Sequence, residues 1–117
     1  MAKPDKLEQQ WQELTAELAN KFADGDTINV ESVVYLIGVQ ELGKGPQKFS
    51  KDDKINLMHI AICRLLEPYG YYEFDRNDAD GWPHFKLLKK LPNLKPEAQS
   101  RMMKEAIIAY FSLQNLL

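Results

Sequence analysis

The stretch SKDDKINLMHIAICRLLE, residues 50–67, decides the fold. Ser50 followed by Asp53 is a variant of the capping box that begins helices, and Pro68 ends the run because proline cannot continue a helix. A helical wheel places Ile60 in a narrow polar wedge. Apolar side chains share the other side of the helix: Ile55, Met58, Ile62, Leu65 and Leu66, extended by Leu57 and Ala61. Such a helix is usually buried. We therefore predict that residues 50–67 form the central helix.

Helical periodicity recurs at both ends of the chain. Near the start, apolar residues repeat every three or four positions, which is typical of one helix face: Leu7, Trp11, Leu14, Leu18 and Phe22. Near the end, Pro96 is favoured at a first helical position, and an apolar face follows it: Met103, Ala106, Ile107, Tyr110 and Phe111. The pattern predicts a first and a last helix.

The stretch 28–42 is ambiguous, because its β-branched residues also suit a buried strand. Its length and Gly43, placed where a helix C-terminal glycine belongs, favour a helix. Gly38 inside this helix costs up to ~1 kcal/mol relative to alanine. We attribute it to the close approach of another helix.

An aromatic segment separates the last two helices. Six aromatic residues flank the polar, turn-prone stretch 75–81: Tyr69, Tyr71, Tyr72, Phe74, Trp82 and Phe85. The pattern predicts a short β-hairpin or an ordered loop over about residues 69–90, with residues 71–74 facing 82–85. The expected fold is mainly α, a compact bundle of about four helices with this hairpin or loop, in a single helical domain over residues 1–117.

Composition restricts the classes of function. The chain has 117 residues and a net charge of −2, whereas nucleic-acid binders usually carry a basic excess. The densest basic run is offset by acids just upstream and is interpreted as a solvated face: Lys86, Lys89, Lys90 and Lys95. No apolar run approaches the ~20 residues of a membrane span, and the single cysteine fits a reducing compartment. We expect a cytoplasmic protein that binds neither nucleic acid nor membrane.

Three strings resemble a group of small hypothetical proteins of Bacteroidetes-type bacteria: IGVQELGKG (37–45), LMHIAICRLLEPYGYYEF (57–74) and DGWPHFKL (80–87). The resemblance covers roughly residues 28–111. It implies a bacterial cytosolic protein. Since no activity is established for the group, the resemblance assigns no catalytic residues and no cofactor is predicted.

His59 and Cys63 stand four positions apart, so both lie on one helix face and, with His84, are candidate metal ligands. The alternative is a buried histidine bonded to a backbone carbonyl, beside a cysteine that acts as a small hydrophobe. The acidic loop 75–81 lacks the ligands of an EF-hand at its first and twelfth positions. It is therefore interpreted as a turn held by Asp and Asn side chains.

The aromatic segment is the most suggestive feature for function. Aromatic side chains with a polar group are enriched at binding surfaces, and neighbouring polar groups would add directional contacts. The candidate binding residues are Tyr72, Arg76, Asp80, Trp82 and His84. The alternative is that these rings pack as a lid over the helical core.

Two functional hypotheses follow. The first is a protein-interaction module, with a protein partner or self-association into a homo-oligomer, which the aromatic segment and the apolar C-terminal stretch 113–117 favour. The second is a small-ligand or metal-binding protein, possibly an enzyme, that uses His59, Cys63 and His84. No convincing catalytic set is present, so the question of enzyme activity stays open. Convergence of His59 and His84 on one cavity would favour the second hypothesis.

Overall fold

A computed structural model describes residues 5–22, 28–45 and 47–114. These residues form four α-helices, one short 3-10 helix (Glu67–Tyr69) and a two-stranded antiparallel sheet. The elements are α1 (Lys6–Phe22), α2 (Val30–Leu42), α3 (Lys51–Leu66), α4 (Pro96–Gln114), β1 (Tyr72–Asn77) and β2 (Pro83–Leu87). The mainly α fold with a hairpin is confirmed, and the ambiguous stretch is helical.

The contacts within the chain divide it into two units. One unit holds α1 and α4, and the other spans Glu31–Asn93, which contains α3, the hairpin and all but the first residue of α2. The single domain over residues 1–117 stays a prediction.

In the first unit, α1 and α4 contact each other. Most residues of the predicted faces are buried, and Met103 is half-buried: the buried ones are Leu7, Trp11, Leu14 and Leu18 on α1, and Ala106, Ile107, Tyr110 and Phe111 on α4. The side chain of Phe22 lies outside the described residues. Asp5 begins α1 by accepting a hydrogen bond from the Leu7 N–H at 3.0 Å, and its carboxylate also pairs with Arg101 of α4. Lys104 and Glu8 form a second ion pair, at 3.0 Å.

In the second unit, α2 lies directly against α3 at Gly38. A Cβ atom on Gly38 would lie 2.2 Å from the Leu57 carbonyl oxygen, so only a residue without a side chain fits there. Gly43 then ends α2 with a positive φ of 74°, and its N–H donates to the Val39 carbonyl at 3.2 Å. Both glycine predictions are confirmed.

The predicted helix is confirmed, but its buried face is not the predicted one. Ser50 caps α3 by accepting from the Asp53 N–H at 3.1 Å. Ile60, which the wheel placed in the polar wedge, is buried, whereas Ile55 is 58% exposed and Ile62 only half-buried. When a helix is apolar nearly all round, its sequence does not indicate which face is buried. The elements that pack against it decide that.

The hairpin is confirmed with a shifted register. Phe74 pairs with Phe85 and Tyr72 with Leu87, and the pairing is irregular between Phe74 and Arg76. The second strand therefore begins at Pro83 and extends to Leu87, and Trp82 lies in the connecting loop. Pro83 at the start of a strand removes no hydrogen bond from the middle of the ladder.

We predict that Gly38→Ala destabilises the protein. Alanine gains up to ~1 kcal/mol of helix propensity, but its methyl group overlaps a backbone oxygen that no side-chain rotation can move. Overpacking of this kind costs typically ~1–3 kcal/mol. We expect a lower free energy of unfolding in urea, while Gln40→Ala, at an exposed position of the same helix, changes it little. A Gly38→Ala protein as stable as the parent would contradict the close approach.

Candidate functional site

Arg64 of α3 joins the surrounding elements of the second unit. Its Nε donates to Glu41 Oε1 of α2 at 2.7 Å, and its Nη1 donates to Glu67 Oε1 at 2.8 Å. The guanidinium carbon lies 4.8 Å from the ring centre of Phe85 and 5.7 Å from that of Phe74. Since a cation over an aromatic face is attracted to it, Arg64 holds the hairpin against α3.

These contacts are largely shielded from water. The side chains of Arg64 and Glu41 are only 25% and 15% exposed. Burial acts to lower the pKa of Arg64, but its hydrogen bonds with Glu41 and Glu67 outweigh burial and raise that pKa. Glu67 also accepts a hydrogen bond from the Phe74 N–H of β1, at 3.4 Å. The cation therefore stays charged and paired.

Asp78 organises the loop between the strands. Its Oδ1 accepts from the N–H groups of Asp80 and Trp82, each at 3.0 Å. Its backbone also closes the loop, since its N–H donates to the Trp82 carbonyl at 2.9 Å and its carbonyl accepts from the Gly81 N–H at 3.0 Å. The predicted turn is confirmed, and Asp78 is the side chain that holds it.

The second carboxylate oxygen of Asp78 orients a histidine. Asp78 Oδ2 lies 2.9 Å from His84 Nε2 of β2. The hydrogen bond from His84, with that from the Trp82 N–H, holds the pKa of Asp78 below its ordinary value of 3.8. Asp78 is therefore ionised at neutral pH and fully engaged by its own loop and by His84.

A cavity of about 250 Å³ lies between α3 and the hairpin. Its lining residues are Asn56, His59, Ile60, Asp78, Trp82, Pro83, His84 and Phe85. We call this space the histidine cleft. Asn56, His59 and Ile60 come from one face of α3, because residues three or four apart are neighbours on a helix. The cleft therefore combines polar groups with aromatic walls, as small-molecule sites do.

The Trp82 ring is held in place by the core next to the cleft. Its half-buried ring packs against the buried cluster of Leu42, Phe49 and Leu57. The tryptophan thus belongs both to the core and to the cleft wall. Trp82 therefore fits both interpretations of the aromatic segment: its ring packs against the core, and the same residue lines the cleft.

The structure brings together two of the five predicted binding residues. Trp82 and His84 line the cleft, whereas Tyr72, Arg76 and Asp80 are absent from its lining. Tyr72 stands edge-on to the His59 ring at 6.4 Å, and burial raises the pKa of its hydroxyl. The exposed Arg76 pairs with Asp75 at 2.6 Å, and the Asp80 carbonyl accepts from Lys44.

His59 is exposed, so its interpretation as a buried histidine is wrong; Cys63 is buried, as that interpretation expected. The buried arc of α3 is rotated away from His59, whose Nε2 lies 3.5 Å from Cys63 Sγ. Burial raises the pKa of the Cys63 thiol to about 11. It therefore remains protonated at neutral pH, and a thiol, unlike a thiolate, is a poor metal ligand.

Among residues 5–22, 28–45 and 47–114, no three His, Cys, Asp or Glu side chains lie where they could hold one metal ion. The candidate metal ligands His59, Cys63 and His84 are therefore not assembled as a ligand set. His59 and His84 converge instead on the cleft, which is the geometry that favours a small ligand.

Five residues of the cleft were not predicted as site residues: Asn56, Ile60, Asp78, Pro83 and Phe85. Two spacings in the sequence could have predicted some of these residues. Asn56 lies three positions before His59 and four before Ile60, so it is a neighbour of each of them on the helix surface. Asp78 stands two residues before Asp80 and four before Trp82, which suits a side chain that accepts from both N–H groups.

Comparisons of the chain with protein-family models, with curated proteins and with solved structures found no match. In the described part of the chain, no helix has both the length and the apolar character needed to cross a membrane.

We predict that Asp78→Asn lowers stability at neutral pH and that this loss disappears in acid. A carboxyl whose pKa is lowered by folding stabilises the protein above its unfolded-state pKa, and this contribution is lost as pH falls through the folded-state value. The unfolded-state value is near 3.8. Urea unfolding should therefore separate the two proteins at pH 7 and bring them together well below that value. An equal difference at both pH values would show that the Asp78 charge contributes nothing.

Proposed function

We propose that the histidine cleft binds a small planar molecule that forms hydrogen bonds. The observation that carries this proposal is the convergence of His59 from α3 and His84 from β2 on one cavity, beside the Trp82 ring. His84 and His59 each offer a ligand the ring nitrogen that does not face Asp78 or Cys63, and the Asn56 amide offers both a donor and an acceptor. Because the Asp78 carboxylate is already engaged, these groups are the ones left for a ligand.

The size and walls of the cleft define the ligand class. At about 250 Å³, the cavity is below the ~300–1,000 Å³ of typical ligand pockets. Trp82 and Phe85 supply ring surfaces on which a planar molecule can stack, with offset or edge-to-face geometry. A heteroaromatic compound of one or two rings fits this chemistry better than an extended or lipid-like ligand.

Binding is proposed rather than covalent catalysis. The nearest nucleophile to His59 is the Cys63 thiol, which is buried and has a raised pKa. A reactive cysteine needs a lowered pKa and exposure, and Cys63 has neither. Its buried, free state also supports the proposal of a reducing compartment, in keeping with the bacterial cytosol that the sequence resemblance implies.

We predict that His59→Ala abolishes binding without unfolding the protein, because the His59 side chain is exposed. The probes are single- and double-ring heteroaromatic fragments, and the readout is the imidazole NMR signals. The chain has two histidines, so each single variant assigns both. A binding fragment should shift the signals of His59 and His84 together. Lys54→Ala, exposed on the same helix, is the matched control and should bind normally. Fragments that move neither imidazole, or only one, would contradict the proposal.

A second candidate function, interaction with another protein, is favoured by a different surface. Leu87 is the last residue of β2 and Leu88 follows it; they are 60% and 52% exposed. Water-exposed leucines on an ordered backbone are a common feature of protein-interaction sites when they cluster. Leu113 of α4 is also exposed, whereas residues 115–117 of the predicted C-terminal surface lie outside the described residues.

A further inference from the structure

The second surface has a defined chemistry. Residues 86–91, KLLKKL, hold three lysines and three leucines and no acidic residue, and all six are exposed. We call this stretch the Lys/Leu segment. It therefore presents apolar and positively charged groups side by side.

The Lys/Leu segment is held in place by its own unit. The Leu88 N–H donates to the Tyr71 carbonyl at 2.8 Å. Lys89 Nζ lies 4.5 Å from the centre of the Tyr71 ring, and Lys86 Nζ lies 3.7 Å from Asp75 Oδ1. An ordered segment loses less conformational entropy on binding than a flexible one. The exposed leucines are therefore already positioned for a partner.

The first unit has a groove with the opposite charge. A cavity of about 260 Å³ opens between α1 and α4. Its apolar lining comes from Leu14, Ile108 and Phe111, and Glu13 and Glu17 stand beside it as exposed carboxylates. From residue 7 to residue 20, α1 contains three glutamates and no lysine or arginine. We call this the acidic groove.

We propose that the Lys/Leu segment of one copy of this protein docks into the acidic groove of a second copy. This inference rests on the second candidate function and names its partner. The leucines would pack against the half-buried Ile108, since Leu14 and Phe111 are already buried at the base of the groove, while Lys89 and Lys90 face Glu13 and Glu17. Complementary charge sets orientation and partner choice, and the exposed leucines lose contact with water on docking. Because the two surfaces differ, two copies that exchange both contacts form a closed dimer, whereas single contacts continue a chain of copies.

The test uses charge reversal and analytical ultracentrifugation over a dilution series. The parent should self-associate, and added salt should weaken the association because exposed charges are screened. Glu13→Lys with Glu17→Lys should weaken self-association at least ~10-fold, as should Lys89→Glu with Lys90→Glu. Lys48→Glu with Lys51→Glu, exposed positions outside both surfaces, gives the same charge change as the lysine variant and should leave association intact. Circular dichroism checks that each variant is folded.

Mixing the two charge-reversed proteins gives the decisive result. The glutamate-reversed protein keeps a normal Lys/Leu segment and the lysine-reversed protein keeps a normal acidic groove, so their mixture should associate more strongly than either variant alone. A single chain with all four reversals should also recover self-association. A parent that stays monomeric at every concentration, or a mixture that fails to associate, would overturn the proposal. A monomeric parent that sediments with anionic lipid vesicles would identify a membrane surface as the occupant instead.

The two proposals can fail separately. His59→Ala removes a cleft residue that belongs to neither docking surface, so it should leave the sedimentation of the parent unchanged. His59→Ala should lose fragment binding and keep self-association, and the charge variants should lose self-association and keep fragment binding. Those two results would separate the functions of the two surfaces.

Discussion

The contacts of Arg64 are the constraint on which the second unit depends. A cation in a largely shielded position is stable only with good partners, and here two carboxylates and two aromatic rings supply them. Glu41 can reach Arg64 because Gly38 lets α2 lie against α3 at Leu57. The absence of one side chain in α2 thus permits the ion pair, and the ion pair permits the hairpin to rest on α3.

The histidine cleft is a consequence of that arrangement. His59 belongs to the helix and His84 to the hairpin, so a cavity lined by both exists only while the hairpin stays in place. Asp78 and the Trp82 ring then fix the shape of the hairpin side. The same hairpin presents the Lys/Leu segment, which begins at the end of its second strand and continues past it. One element therefore contributes to both proposed surfaces, facing the helix with one and the solvent with the other.

The helices and the hairpin could be predicted because their signals are local. Pro96, Gly43 and the Ser50 cap act through the backbone of their own segments, and Gly38 indicated a close approach without naming Leu57. The buried arc of α3 could not be predicted, since a helix apolar nearly all round is oriented by its neighbours. Nor could the cleft. The pairing of Phe74 with Phe85 sets which side chains reach α3, and strand register depends on packing that spans the whole unit.

Residue-resolved hydrogen exchange of the parent and of Arg64→Gln shows whether Arg64 holds the hairpin on α3. Glutamine keeps a polar side chain but removes the charge that binds Glu41, Glu67 and the two rings. We expect the hairpin amides, and the Leu88 amide bonded to Tyr71, to lose protection far more than the amides of α1 and α4. Lys54→Gln, exposed on the same helix, should change neither group. Hairpin protection that is unchanged in Arg64→Gln would contradict the claim that Arg64 holds the hairpin on α3.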